Sequence, residues 1–196
     1  MTAYQDVFKR YEKKYLVTQR QYNQLARALA PHMVPDRFAQ STIGNIYYDT
    51  PDFRLIRRSL DRPPYKEKLR LRAYCTPEAG SEAFVEIKKK YDHIVYKRRI
   101  AMPYGQAIAY LGGGAAPAGG QIAREIDWFR GFYEGLRPAV CIFYDRFAVQ
   151  DRHQPELRIT FDSGIRWREE DLDLAAGTAG RPLLDAGTCL MEIKIP

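Results

Sequence analysis

Histidine and cysteine are scarce in this chain, three of each in 196 residues. Cys75, Cys141 and Cys189 are far apart, odd in number and without CxxC spacing, which argues against a disulfide framework or a thiolate zinc site. His32, His93 and His153 fall in predicted loops or at element ends, so the chain offers no convincing histidine base. Walker-type phosphate binding is missing too, because the Gly112–Gly114 run lacks the Gly-Lys-Ser/Thr ending that cradles phosphate. No apolar run is long enough to span a membrane, and the N-terminus has no apolar signal stretch. These absences leave a reduced, cytoplasmic protein with no membrane segment in this chain.

What is abundant is positive charge. Lys and Arg number 31 against 24 Asp and Glu, giving a net charge of +7 and a pI near 9.3. With 45% hydrophobic residues this is a folded protein with a core, not a basic tail, and its length fits one domain over residues 1–196. Its partner should be anionic: nucleic acid, a membrane surface or a phosphorylated small molecule.

The charge is patterned. Lys68-Leu69-Arg70-Leu71-Arg72 alternates cation and aliphatic at the two-residue period of a β-strand, so Lys66, Lys68, Arg70 and Arg72 share one face and Leu69 and Leu71 the other. The pattern recurs in Arg10-x-Glu12-x-Lys14, Glu86-x-Lys88-x-Lys90, Lys97-x-Arg99, Arg158-x-Thr160-x-Asp162 and Glu192-x-Lys194, and Arg146 belongs to a further strand. One such strand means only a solvated face. Repeated across neighbouring strands, the cations repel one another unless a polyanion occupies them.

Strands are expected at about 8–17, 41–49, 66–74, 83–91, 94–102, 139–149, 156–162 and 189–195. A helix capped by Thr18 runs to Leu29, and others fall near 52–59, 104–111 and 121–133. The residues from Gly112 to Gly120 read as a flexible loop, and Ala175–Gly187 as another. The strand runs are too closely spaced for repeated βαβ units, which gives an α+β fold with a dominant antiparallel sheet. If the sheet closes, the aliphatic side faces outward under helices and the charged side lines a lumen; an open groove satisfies the same pattern.

These segments, with Ile46-Tyr47-Tyr48-Asp49-Thr50, Val95-Tyr96-Lys97-Arg98-Arg99 and Tyr144-Asp145-Arg146-Phe147-Ala148 among them, resemble the triphosphate tunnel metalloenzymes, and within these the VTC domain of inorganic polyphosphate polymerases. The resemblance covers nearly the whole chain. It implies an eight-stranded antiparallel tunnel, a closed barrel with a charged lumen and flanking helices. Lys14, Arg70, Arg72, Lys88, Lys97, Arg146 and Arg158 would grip phosphate, with Arg10, Lys68, Lys90, Arg99 and Lys194 as further substrate contacts. Glu192 would be the metal carboxylate, helped by Glu12 and Glu86, for Mn²⁺ or Mg²⁺. The implied enzyme is a phosphotransferase that uses ATP to extend polyphosphate from phosphate or pyrophosphate, with a membrane export partner in view.

Hydrolytic members of the superfamily carry Glu-x-Glu-x-Lys on the first strand, where this chain has Arg10-x-Glu12-x-Lys14. Exchanging an acid for Arg weakens metal binding and adds phosphate affinity, which favours a polymerase over a triphosphatase. The family pattern continues past the last strand with a plug helix, and that helix is expected to be missing beyond Pro196. A non-catalytic polyphosphate or inositol-phosphate binder is the competing class, against which the inward acids Glu12, Glu86 and Glu192 argue. Nucleic-acid binding is disfavoured because the residues alternating with the cations are aliphatic rather than aromatic. Tyr47, Tyr48, Tyr96 and Tyr144 read more often as core or rim aromatics than as base-stacking groups.

Overall fold

Thr18 sets the first corner of the molecule. Strand β1 (Val7–Thr18) ends on it and helix α1 (Gln19–Leu29) begins after it. Its hydroxyl accepts from the Gln21 backbone N–H while the Gln21 side chain accepts from the Thr18 N–H, a reciprocal capping box. The chain continues through β2 (Met33–Asp49), α2 (Arg54–Leu60), β3 (Tyr65–Tyr74), β4 (Glu82–Tyr91), β5 (Ile94–Pro103), α3 (Tyr104–Leu111), α4 (Gln121–Phe132), β6 (Arg137–Asp151), β7 (Arg158–Arg168), β8 (Arg181–Pro182) and β9 (Thr188–Ile195). This computed structural model describes residues 7–92, 94–116 and 120–195, and the side chains of all of these but 7–10, 37 and 38. His93 and part of the expected glycine-rich loop therefore lie outside the described residues, as does the side chain of Arg10.

All strand pairings are antiparallel, in the order β6-β2-β3-β4-β5-β1-β9-β7-β8, and β6 pairs with β7 as well as with β2. The α+β class with a dominant antiparallel sheet is what the alternation predicts. Two elements exceed the expectation. β2 starts at Met33 instead of Ser41, and β7 runs on to Arg168 instead of stopping at Asp162. Inside the second expected loop a 3₁₀ turn (Leu174–Ala176) and the two-residue β8 appear.

The aliphatic face is buried under helices. Leu69, Leu71, Val85, Ile87 and Ile46 are at most 1% exposed and pack with Ala107, Tyr110 and Leu111 of α3 and Ile126 and Phe129 of α4. Each such side chain contributes roughly 1.5–3 kcal/mol relative to exposure. A second cluster, Val17, Met33, Ile159, Phe161 and Met191, lies under Tyr22, Leu25 and Leu29 of α1, with Tyr22 edge-on to Phe161 at 4.9 Å. With the aliphatic side so covered, the alternate positions deliver the cations to the other face.

Candidate functional site

Cross-strand register assembles the charged face. Lys68 sits opposite Lys88, Lys88 opposite Lys97, Arg70 opposite Glu86, Arg72 opposite Asn45 and Arg146 opposite Asp162. On the other side Lys14 is opposite Glu192, Glu192 opposite Thr160, and Lys194 opposite both Glu12 and Arg158. These neighbours converge on a cavity of about 220 Å³, to which every one of the eight long strands contributes a side chain. Lys14, Arg70, Arg72, Lys88, Lys97, Arg146 and Lys194 line it, together with Glu12, Asp162 and Glu192. A second cavity of about 450 Å³ shares Glu12, Lys14, Tyr47, Arg70 and Lys88 with the first and adds Lys66, Lys68 and Lys90.

The acids orient the cations. Glu86 is fully buried, and its carboxylate accepts from Arg70 Nε at 2.7 Å and Lys97 Nζ at 3.3 Å, with Arg72 Nε at 3.9 Å. Asp162 takes both prongs of Arg146, at 2.7 and 2.8 Å, a bidentate geometry that fixes the guanidinium plane. Glu192 holds Lys14 at 3.2 Å and Lys194 at 2.7 Å, and Glu12 holds Lys88 at 2.6 Å. Neutral groups add to the frame: Arg72 donates to Asn45 Oδ1 at 3.1 Å and to the Tyr144 hydroxyl at 3.2 Å, and Arg70 donates to the Tyr47 hydroxyl at 3.2 Å.

Electrostatics follow the crowding. Burial works against the Glu86 charge, but Arg70, Arg72 and Lys97 hold the carboxyl well below the usual range. Lys97 is on the losing side: burial, then Arg72, Arg70 and Arg99, lower it to about 6 despite Glu86. Burial would raise the Tyr47 phenol, yet Arg70, with Arg72 and Lys68, brings it down to about 8. Glu192 is likewise held far below normal by Lys194, Lys14 and Lys88 against its burial. Lys66 is lowered by burial and by the repulsion of Lys68, Lys90 and Arg62.

Such a face is built for a compact, multiply charged anion. A family model for the VTC domain matches residues 9–196. The chain belongs to the VTC domain family. No curated protein matches it in sequence. Among solved structures it is similar to an adenylate cyclase candidate from Bacillus halodurans (14% identity, TM-score 0.60, 97% of this chain and 82% of that one). It is also similar to an adenylyl cyclase candidate from Hippeastrum, described as having a dominant triphosphatase activity (13% identity, TM-score 0.50, 95% of this chain and 78% of that one). At such identities these likenesses speak for the fold alone.

Three of the residues singled out in this VTC domain sit away from the cavity linings. Arg158 forms an ion pair with Asp36 of β2, Arg99 stacks over the Phe84 ring at 4.5 Å, and Glu86 lies beneath Arg70 and Lys97. Sequence reasoning passed over Asn45 and the cavity position of Tyr47 and Tyr144. All three follow the period-two face of their strands, but as uncharged residues they leave no trace in a charge pattern.

Among the described residues no group of three or more His, Cys, Asp or Glu is placed to hold a metal. Glu12 and Glu192 do line one cavity, and Lys14 and Lys88 each feel both carboxylates. Two carboxylates completed by phosphate oxygens and water are a donor set that suits Mg²⁺ or a similar ion. These residues therefore fit a metal that arrives with a phosphate ligand. Among the described residues, no helix is long and apolar enough to cross a membrane.

Proposed function

We propose that this VTC domain is a polyphosphate polymerase that transfers the γ-phosphoryl group of ATP to the terminal oxygen of an inorganic phosphate chain. The observation that carries the reading is the cavity lined by all eight long strands, six of which send cations into it, Arg70, Arg72, Lys88, Lys97 and Arg146 foremost. The β6–β7 pairing, which joins the first strand of the order to the last of the long ones, supports a closed tunnel around it.

In the reaction the bond from the γ-phosphorus to ADP breaks as the bond to the chain oxygen forms, and ADP leaves. The attacking oxygen is already anionic, so no general base is required. Phosphoryl transfer of this kind asks for alignment and for charge stabilisation of the equatorial oxygens. Arg70, Arg72 and Arg146 supply planar forks that their carboxylate, amide and hydroxyl partners hold in place; Lys14, Lys88 and Lys97 supply point charges. Glu192 and Glu12 would hold a divalent cation, Mg²⁺ or Mn²⁺, which when bound would neutralise part of the phosphate charge. Glu86 acts through Arg70 and Lys97 as a positioning residue. Lys66, Lys68 and Lys90 extend the cationic surface beyond the inner cavity and would retain a growing chain.

Triphosphate hydrolysis on the same fold is the second reading, favoured by the activity described for the Hippeastrum protein and opposed by Arg10 on the first strand. Incubation with ATP and Mn²⁺, followed by gel analysis of product and a parallel assay of free phosphate, separates them. An exopolyphosphatase-sensitive ladder is expected; free phosphate without polymer would assign the protein as a triphosphatase. Glu192→Gln should keep tripolyphosphate binding while abolishing metal-dependent turnover, and full turnover in that variant would remove Glu192 from the metal role.

A further inference from the structure

The charged face carries one patch that no phosphate chemistry requires. Ile43, Tyr144 and Ile165 form a small buried apolar cluster, packed by Ile142, Leu184 and Leu190. Ile142, Tyr144, Ile165, Leu183 and Leu190 line the same inner cavity as Arg70, Arg146 and Glu192. They come from β6, β7 and β9 and from the segment after β8, whereas Lys66, Lys68 and Lys90 come from β3 and β4. The cavity system therefore has a cationic wall and an aliphatic wall, joined by Lys14, Tyr47, Arg70 and Lys88.

The aliphatic wall is constructed, not incidental. The register shift between Phe143 and Asp145 coincides with Gly164 at φ 55°, and together they restart the β7 alternation so that Ile165 follows Asp162 on the cavity side. The Leu183 N–H then donates to the Ile165 carbonyl at 2.8 Å, which brings the Leu183 side chain to the cavity although it is 55% exposed. A chain made only of phosphate gains nothing from these methyl groups and loses hydration against them. A ligand with a polyanionic end and a flat, largely apolar end uses both walls.

We infer that Ile142, Ile165, Leu183 and Leu190 form the nucleoside subsite, seating the base of a nucleoside triphosphate whose phosphates reach Arg70, Arg72 and Arg146. The inference rests on the phosphate reading of the cationic cavity. These four side chains have no donor or acceptor, so they take the base by its face and not by its edges. Purine nucleotides with different edge groups are accepted alike.

Calorimetric titration with ATP, GTP and inorganic tripolyphosphate tests this on the wild-type protein, Leu183→Ser and Leu190→Ser. Removing one contact leucine should weaken ATP and GTP about three- to tenfold, while tripolyphosphate affinity stays within about twofold. Equal losses for all three ligands, or none, would overturn the subsite. Failure of wild-type protein to bind tripolyphosphate would overturn the phosphate reading itself and the subsite with it. Leu183 is exposed, so its variant keeps the test decisive if Leu190→Ser fails to fold.

Discussion

Glu86 is the residue on which the cationic face depends. It is buried beneath Arg70, Arg72 and Lys97, and its charge lets the two guanidinium groups stand close together in the absence of a ligand. Removing one member of a buried ionic group leaves the others uncompensated, at a cost of about 3–5 kcal/mol. Glu86→Gln should therefore lower the melting temperature, and saturating tripolyphosphate should narrow the gap from wild type by replacing the missing negative charge. A loss below about 1 kcal/mol, the range of ordinary exposed ion pairs, would deny Glu86 this role. The pH response belongs to Lys97 and Tyr47. With Lys97 lowered to about 6 by burial and its arginine neighbours, it is mostly neutral at pH 7 and above in the free protein. A polyanion favours its charged form, so binding takes up a proton and weakens as pH rises from about 6. Tyr47, which titrates at about 8, adds a second weakening above that pH because its phenolate repels phosphate. Calorimetry across pH 6–9, in buffers of different ionisation enthalpy, should show both phases, with Tyr47→Phe removing the upper one. A flat profile would contradict both assignments. Arg70, Arg72 and Lys88 follow from charge alternation alone, whereas Arg146 follows from the resemblance of the segment Tyr144–Ala148. Asn45, Tyr47 and Asp36 were not legible, because their contribution is to orient a cation across a strand pair that only register reveals.

At the scale of elements, the sequence reading succeeds where period-two alternation is unbroken, as in β3, β4 and β5, and stops where it breaks. The alternation predicts β2 only from Ser41; in the fold the strand begins at Met33, with Pro35 and a register shift before Gln40 interrupting its regular pairing. The expected β7 ends at Asp162, where Ser163-Gly164 interrupts the alternation. In the fold this dipeptide is a bulge, with Gly164 in the left-handed region at φ 55°. A Cβ there would meet Asp145 Oδ2 at 3.0 Å and Arg166 Nη1 at 3.4 Å. Gly164→Ala should cost about 1–3 kcal/mol in thermal unfolding and should weaken ATP more than tripolyphosphate, since the bulge aims Ile165. An unchanged melting temperature would show that the bulge carries no strain. Helix α1 was found from Thr18 because its cap is local; the two-residue β8 is held by pairing to β7, and nothing in its own two residues announces a strand.

For the whole molecule the organising fact is a division of surfaces: aliphatic residues under helices, cations gathered on the opposite face. Net charge alone would predict loose attraction of any polyanion to any basic patch. The arrangement predicts something narrower. Arg70→Ala and Arg72→Ala should each weaken tripolyphosphate about tenfold or more, the scale of a lost charge-assisted hydrogen-bonding group. Arg57→Ala, on the exposed face of α2 and paired with Asp52, should change it less than about twofold. Equal losses for all three would reduce the site to general electrostatics.

A crystal structure of the protein grown with inorganic tripolyphosphate tests the central claim most directly. The account predicts phosphate density in the inner cavity, within hydrogen-bonding distance of Arg70, Arg72 and Arg146 and between them and Lys14 and Lys88. Density confined to the outer surface, at Arg54, Arg57 and Arg58 of α2 or at Lys89 and Arg124 beside Trp128, with the inner cavity holding only water, would contradict it.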